Sequence, residues 1–288
     1  MELLTQPFMQ RALIAAMIIG LAAPSLGIYL VQRRLSLIGD GIGHVALTGV
    51  GLGLLTGNDP VYTAVIVSAL GAVGVELIRE RGRTSGDLAL AMLFYGGIAG
   101  GVLLVGLSDG SGNSSLMKYL FGSPLTTSPE DLAVIGGLGA AVLAVMFFFR
   151  PALFALCNDE EYARVSGLPV RTLNILLAVT TAVTVTIAMR TVGLLLVSAM
   201  MVVPVAAAQQ VTRGFVTTMT LAVVIGVSAA GGGILVSAEA NTAPGATTVL
   251  LALAVFVATA VFAAARHRLR RAAPQPVASE PPDVVLHG

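Results

Sequence analysis

The sequence predicts an all-α polytopic membrane protein of about nine (eight to nine) transmembrane helices. The N-terminus is expected outside and the C-terminus inside, with one short extra helix on the cytoplasmic side. Three observations carry this. Hydrophobic residues make up 56 % of the 288 residues and charged residues only 11 %, against roughly 45–50 % and about 25 % in a soluble domain. Mean hydropathy is +0.91. Apolar runs of about 20 residues, the length a bilayer span needs, recur between short charged or Pro/Gly punctuation. So little charge cannot cover a water-facing surface, which excludes a soluble enzyme of ordinary build. So much apolar character excludes a disordered chain.

The spans fall near 11–31, 36–56, 61–79, 87–107, 131–149, 172–189, 191–211, 215–236 and 245–265. The first is too long for a signal-peptide core and is followed by Arg33–Arg34 rather than a cleavage site, so it is a retained helix. The second carries Asp40, His44 and several glycines. Asn58, Asp59 and Pro60 turn the chain into the third, which ends at Glu76 and Arg79. A polar stretch, 108–130, separates the fourth from the fifth, and its composition reads as a loop. The seventh holds Pro204 and ends in Gln209 and Gln210, and 212–214 forms a turn. In the eighth, Gly231, Gly232 and Gly233 read as close-packing positions rather than a phosphate cradle. Residues 1–271 thus form one transmembrane domain. Residues 272–288, rich in Pro and small side chains, read as a disordered cytoplasmic tail, and His267 and His287 beside it are not read as metal ligands.

Basic residues orient the chain. With nine spans and the N-terminus outside, thirteen lie inside: Arg33, Arg34, Arg79, Arg81, Arg83, Arg150, Arg164, Arg171, Arg213, Arg266, Arg268, Arg270 and Arg271. Only Arg11, Lys118 and Arg190 lie outside. An eight-span count breaks this asymmetry in one half of the chain. The formal net charge of +1 implies no polyanion-binding surface, and no nucleic-acid signal is present.

Polar residues inside the spans are the candidates for function, because a charge in hydrocarbon costs several kcal/mol. Asp40 and His44 stand four apart, so on a helix they share one face. They sit inward of Arg33–Arg34, between the inner interface and the midplane. Carboxylate and imidazole together suit Zn²⁺, Mn²⁺ or Fe²⁺. Gly39, Gly41, Gly43, Gly49, Gly51 and Gly53 around them let a backbone or an ion come close. A hydrogen-bonded pair that only stitches helices together is the other reading. One chain supplies two ligands, too few for a closed site, whereas a symmetric dimer supplies four at its two-fold axis. A weak, open site is what a translocation path needs, since the ion must also leave. Glu76 reads as a snorkelling partner of Arg79, and Arg190 as an interfacial anchor. The single Cys157 excludes an intrachain disulfide and a Cys-cluster metal site.

Residues 158–170, NDEEYARVSGLPV, are too short and polar to span. Asn158 or Asp159 can cap a helix, Glu160 and Glu161 then favour its first turn, Gly167 suits the position past its end, and Pro169 stops it. A capped helix across the inner face suggests a docking element, or else an ordinary connector. The chain has no P-loop, its sole lysine being Lys118, and no nucleophile–base pairing, so it is not read as an enzyme.

Taken in order, PFMQRALIAA, RRLSLIGDGIGHVALTGVGLG, SGDLALAMLFYGGIAGGVLL, DEEYARVSGLPVRTLN, RTVGLLLVSAMMVVPVAAAQQ and PGATTVLL resemble the membrane permease subunit of bacterial ABC importers for zinc, manganese or iron, over most of 7–265. The resemblance implies a multi-pass permease of the bacterial plasma membrane working as a homodimer. It also implies a cytosolic ATP-binding subunit that hydrolyses ATP and an extracytoplasmic metal-binding protein that delivers the ion. No cofactor is permanently bound, the divalent metal being cargo. Asp40 and His44 are the implied metal-path residues. Asp159, Glu160, Glu161, Tyr162, Ala163, Arg164, Val165, Ser166 and Gly167 are the implied ATPase-coupling helix. The chain departs from the family in having Gly41–Ile42–Gly43 where Ala-Leu-Ser is common, and Thr48 where a small residue or Pro is frequent. Rival readings are a permease for a metal chelate and an ion-coupled secondary transporter in which Asp40 and His44 relay protons. Segment 108–130 is long enough to meet the delivery protein.

Overall fold

Proline and glycine place most of the helix ends in the computed structural model, which describes residues 6–80, 86–108, 112–123 and 127–272. Its helices are α1 (Pro7–Gln32), α2 (Ile38–Thr56), α3 (Pro60–Glu80), α4 (Gly86–Leu107), α5 (Gly112–Phe121), α6 (Pro129–Phe148), α7 (Arg150–Asn158), α8 (Glu160–Val165), α9 (Val170–Thr191), α10 (Leu194–Val211), α11 (Phe215–Ala240) and α12 (Pro244–Ala272). No strand occurs among the described residues. Proline, whose missing N–H costs nothing in a first turn, opens α1, α3, α6 and α12. Left-handed Gly57 (φ 69°) and Asn241 (φ 51°) close α2 and α11, the usual device for ending a helix. Ser128 and Asp131 form a reciprocal capping box at the start of α6, at 3.1 and 3.0 Å.

Eight helices are long and apolar enough to cross a bilayer. The apolar part of α10, Leu196–Val211, is shorter, and α10 is buried deep in the bundle, with Val197, Met200, Val205, Ala207 and Ala208 inaccessible. The interior is built on α1, α2 and α9, whose most apolar stretches are 72 %, 67 % and 72 % buried, against 17 % for α12. Small residues bring the backbones together, as membrane bundles require in the absence of a hydrophobic drive between helices. A Cβ on Gly20 of α1 would meet the Gly226 carbonyl oxygen of α11 at 2.8 Å. Of the three consecutive glycines in α11, Gly233 lies against Thr248 of α12, while Gly231 and Gly232 make only ordinary contacts. Buried α9 hides its polar atoms locally. The hydroxyls of Thr180, Thr181, Thr184 and Thr186 donate back to carbonyls one turn earlier at 2.6–2.8 Å. Backbone acceptors within the helix thus satisfy hydroxyls where no water is present.

The two ends of the bundle differ in chemistry. Arg33, Glu76, Arg79, Glu160 and Arg171 share a cavity of about 780 Å³. At the other end Lys118, Tyr119, Asp131 and Arg190 line one of about 300 Å³, and Arg11 donates to the Thr127 carbonyl at 3.2 Å. Arg81, Arg83, the residues 109–111 and 124–126, and the tail from 273 onward lie outside the described residues.

Three local features emerge only in the structure. The 108–130 stretch is not simply loop: it contains α5, because Tyr119 and Leu120 find an apolar surface to pack on. Tertiary burial here overrides a composition rich in Gly, Ser and Asn. Residues 150–158 form a further short helix, α7, which buries Leu153 and Leu156 on one side. The second span starts at Ile38, because Arg34 is left-handed (φ 57°) and 33–37 form a corner. Asp40 and His44 therefore lie only about 3 and 9 Å from the start of α2, at 1.5 Å per residue.

Candidate functional site

The site is built on α2. Its six glycines are where neighbouring helices touch it. Gly39 meets Ser198 of α10, Gly41 meets Leu90 of α4, and Gly43 meets Val185 of α9 and Leu194 of α10. Gly49 and Gly53 meet α3 at Ala64 and Pro60, and Gly51 meets Leu104 of α4. The Gly41–Ile42–Gly43 departure therefore leaves α2 unbroken and lets leucine side chains seat against its backbone. Gly97 of α4 makes the closest backbone-to-backbone approach at the site: a Cβ there would stand 2.5 Å from the His44 carbonyl carbon and 2.6 Å from the Val45 nitrogen.

His44 is buried at 9 % exposure, and its Nδ1 has no hydrogen-bond partner among the described residues. The Phe94 ring of α4 meets the imidazole edge-on, centroids 4.5 Å apart. Asp40, half-buried one turn away, is its electrostatic neighbour. No three His, Cys, Asp or Glu side chains cluster closely enough among the described residues to hold a metal. One chain therefore brings one carboxylate, Asp40, and one imidazole, His44, to this place on α2. Cys157 offers nothing to it. Its thiol donates to the Tyr29 carbonyl at 3.7 Å, and burial pushes its pKa up to about 11, so it is uncharged at neutral pH.

The 158–170 segment folds as its residues dictate. Asp159 is the cap, accepting from the Tyr162 N–H at 2.9 Å, while Asn158 ends α7. Glu160 and Glu161 occupy the first turn of α8, and Gly167 takes φ 82°. Ala163 is buried; Tyr162, Arg164, Val165, Ser166 and Gly167 are exposed. Glu76 is paired with Arg79 at 3.1 Å and is itself buried, lining the cavity at the Arg-rich end. Arg190 is more than an anchor: it forms an ion pair with Asp131 that ties α9 to α6. Sequence reasoning missed Phe94 and Gly97, which carry no local signal, and the bonds of Arg33 to Glu160 and Asn174. For the last, the run of charges around 158–164 was the available hint.

A bundle of spanning helices with a half-buried carboxylate and a buried imidazole on its glycine-lined central helix, and a capped helix exposed at its Arg-rich end, defines a multi-pass membrane permease. The chain belongs to the ABC 3 transport family, whose model matches residues 5–263. It is 32 % identical over 255 residues to the manganese transport system membrane protein MntC of Halalkalibacterium halodurans, covering 88 % of this chain and 87 % of that one. It is 28 % identical to the high-affinity zinc uptake system membrane protein ZnuB of Haemophilus influenzae, with 85 % and 94 % covered. Among solved structures it is similar to PsaBC from Streptococcus pneumoniae in complex with Fab, with a TM-score of 0.81, 30 % identity, and 89 % and 92 % of the two chains covered. As the membrane component of an ABC transporter it carries no ATPase domain of its own, which accounts for the missing P-loop.

Proposed function

We propose that two copies of this chain form the import path for a bare divalent transition-metal ion (zinc, manganese or iron), with Asp40 and His44 of each copy as passing ligands. The observation that carries this is the buried Nδ1 of His44, which lacks a partner among the described residues one turn from a carboxylate. Leaving a buried polar atom unsatisfied costs about 1–3 kcal/mol, and an arriving cation offsets that cost. Two ligands per copy hold an ion weakly enough to release it. Relatives named for manganese and zinc uptake support a transition metal as cargo, and a donor pair of carboxylate and imidazole accepts all three candidates.

Cytosolic ATPase subunits dock on the 159–167 helix, and an extracytoplasmic binding protein delivers the ion to the opposite end, where α5 lies. Closure of the ATPase pair on ATP moves the docked helices and alternates the path between its outward and inward states. The test is ATP hydrolysis by the complete reconstituted transporter. Mn²⁺, Zn²⁺ or Fe²⁺ on the delivery protein is expected to stimulate it while Mg²⁺ and Ca²⁺ do not. Stimulation by a metal chelate alone overturns the reading. Growth of a strain lacking this chain, restored by one metal and not the others, then selects the cargo.

Docking depends on the cap of α8. Asp159→Ala removes the side chain that accepts from Tyr162 and costs about 1 kcal/mol of helix stability. ATPase affinity is expected to fall about fivefold, read by titrating the ATPase onto the purified permease. Asp159→Asn, which still caps, retains it.

A further inference from the structure

Arg33 closes α1, and its side chain is only 8 % exposed. One arm of its guanidinium donates to Glu160 Oε2 at 2.5 Å; the other donates to Asn174 Oδ1. Glu160 is the first residue of α8 and Asn174 lies near the start of α9. A planar fork with both arms engaged is a geometry that lysine cannot copy. The helix it holds is otherwise loosely attached: Ala163 is the buried residue of α8, whereas Tyr162 and Val165 are 68 % and 87 % exposed.

Arg33 is also joined to the metal-path residues through a short corner. Asp40 follows seven positions later, and five backbone hydrogen bonds brace the stretch between them. Arg33 N–H donates to the Tyr29 carbonyl at 3.1 Å, Arg34 N–H to Val31 at 3.1 Å, Leu35 N–H to Leu30 at 2.8 Å and Ile38 N–H to Leu35 at 3.0 Å. Gly41 N–H then bonds Leu37 at 3.2 Å within the first turn of α2. A chain segment so braced passes on a displacement where a slack loop would absorb it.

We propose that Arg33 is the positioning residue through which movement of the 159–167 helix reaches the Asp40–His44 site: Glu160 draws the guanidinium, and the braced corner turns the first turn of α2 with it. This rests on the reading of those two elements as docking helix and ion path. A fork held on both arms, to Glu160 and to buried Asn174, transmits a shift because it has discrete arrangements.

The experiment uses the complete transporter, with ATPase and delivery protein, in liposomes, with Mn²⁺, Zn²⁺ and Fe²⁺ as probes. It reads ions imported per ATP hydrolysed, and the amount of assembled complex. Arg33→Gln is expected to lower ions per ATP about tenfold with the ATPase still bound. Arg33→Lys falls between it and the parent. Arg33→Glu is as poor as Arg33→Gln, and adding Glu160→Arg recovers about threefold. An unchanged ratio in Arg33→Gln, including one accompanied only by less assembled protein, overturns the proposal. So does a double exchange no better than Arg33→Glu alone. Asp40→Asn in parallel separates the two readings. Normal import by Asp40→Asn removes the ion-path reading, whereas a dead Asp40→Asn beside a fully coupled Arg33→Gln removes only the present one.

Discussion

Replacing Asp40 or His44 by alanine is expected to abolish metal uptake, by at least about 100-fold, while the permease still assembles in the membrane. Outer partners of metal ligands alone are worth about 10–100-fold in affinity or activity, and these two residues are the ligands themselves in the proposed path. Stability gives the independent reading. Asp40 stands in the first turn of α2, where the helix dipole favours a carboxylate by only about 0.3–1 kcal/mol, so Asp40→Asn, which keeps the shape and removes the charge, is expected to leave the melting temperature in detergent nearly unchanged. His44→Ala also loses the edge-on contact with Phe94, worth about 0.5–1.5 kcal/mol for an aromatic pair, so a small loss of stability is expected there. The stitching role predicts the reverse pattern: a clear loss of stability in both variants and normal uptake. Uptake of the candidate metals in cells, with membrane abundance measured in parallel, separates the two.

Gly97→Ala is expected to produce the second-largest effect. The three atoms nearest its Cβ would all be backbone of α2, the His44 carbonyl carbon at 2.5 Å, the Val45 nitrogen at 2.6 Å and the His44 oxygen at 2.8 Å. No side chain can swing aside, so α4 must move away from α2 and take Phe94 with it. Overpacking of this kind costs about 1–3 kcal/mol. A lower melting temperature and uptake reduced about tenfold are expected, since small misplacements at a ligand site are strongly felt. Gly96→Ala is the comparison, because a Cβ there meets nothing within 4 Å in the same chain. A silent Gly97→Ala would show that α2 and α4 separate freely and that their contact does not set the site. A damaging Gly96→Ala would place another protein chain against that face of α4.

The spans were readable because each is a local property. A run of apolar residues bounded by Pro, Gly or charge needs no partner to be recognised, and the helices near 61–79, 87–107 and 215–236 are found as α3, α4 and α11. The same holds for α8, where the cap Asp159, the acidic first turn and Gly167 are all within nine residues of one another. The corner at 33–37 was harder. Nothing in RRLSL marks a turn, and a left-handed Arg34 (φ 57°) is a conformation few L residues choose without help from the fold. Helix α5 was hidden by its composition, and only the surface under Tyr119 and Leu120 makes it worth forming.

From its residues alone this chain is committed to crossing a membrane many times, to gathering most of its arginines at one end, and to carrying one carboxylate and one imidazole a turn apart on its most glycine-rich helix. Folding chose the partners: Phe94 and Gly97 against His44, Glu160 and Asn174 on Arg33, Asp131 on Arg190. The reason is physical. Helices that are apolar on every side satisfy their own backbones wherever they stand, so their composition says that they span but leaves open how each is rotated. Close packing of small residues against particular neighbours settles that rotation, and it joins positions some 50 to 140 residues apart.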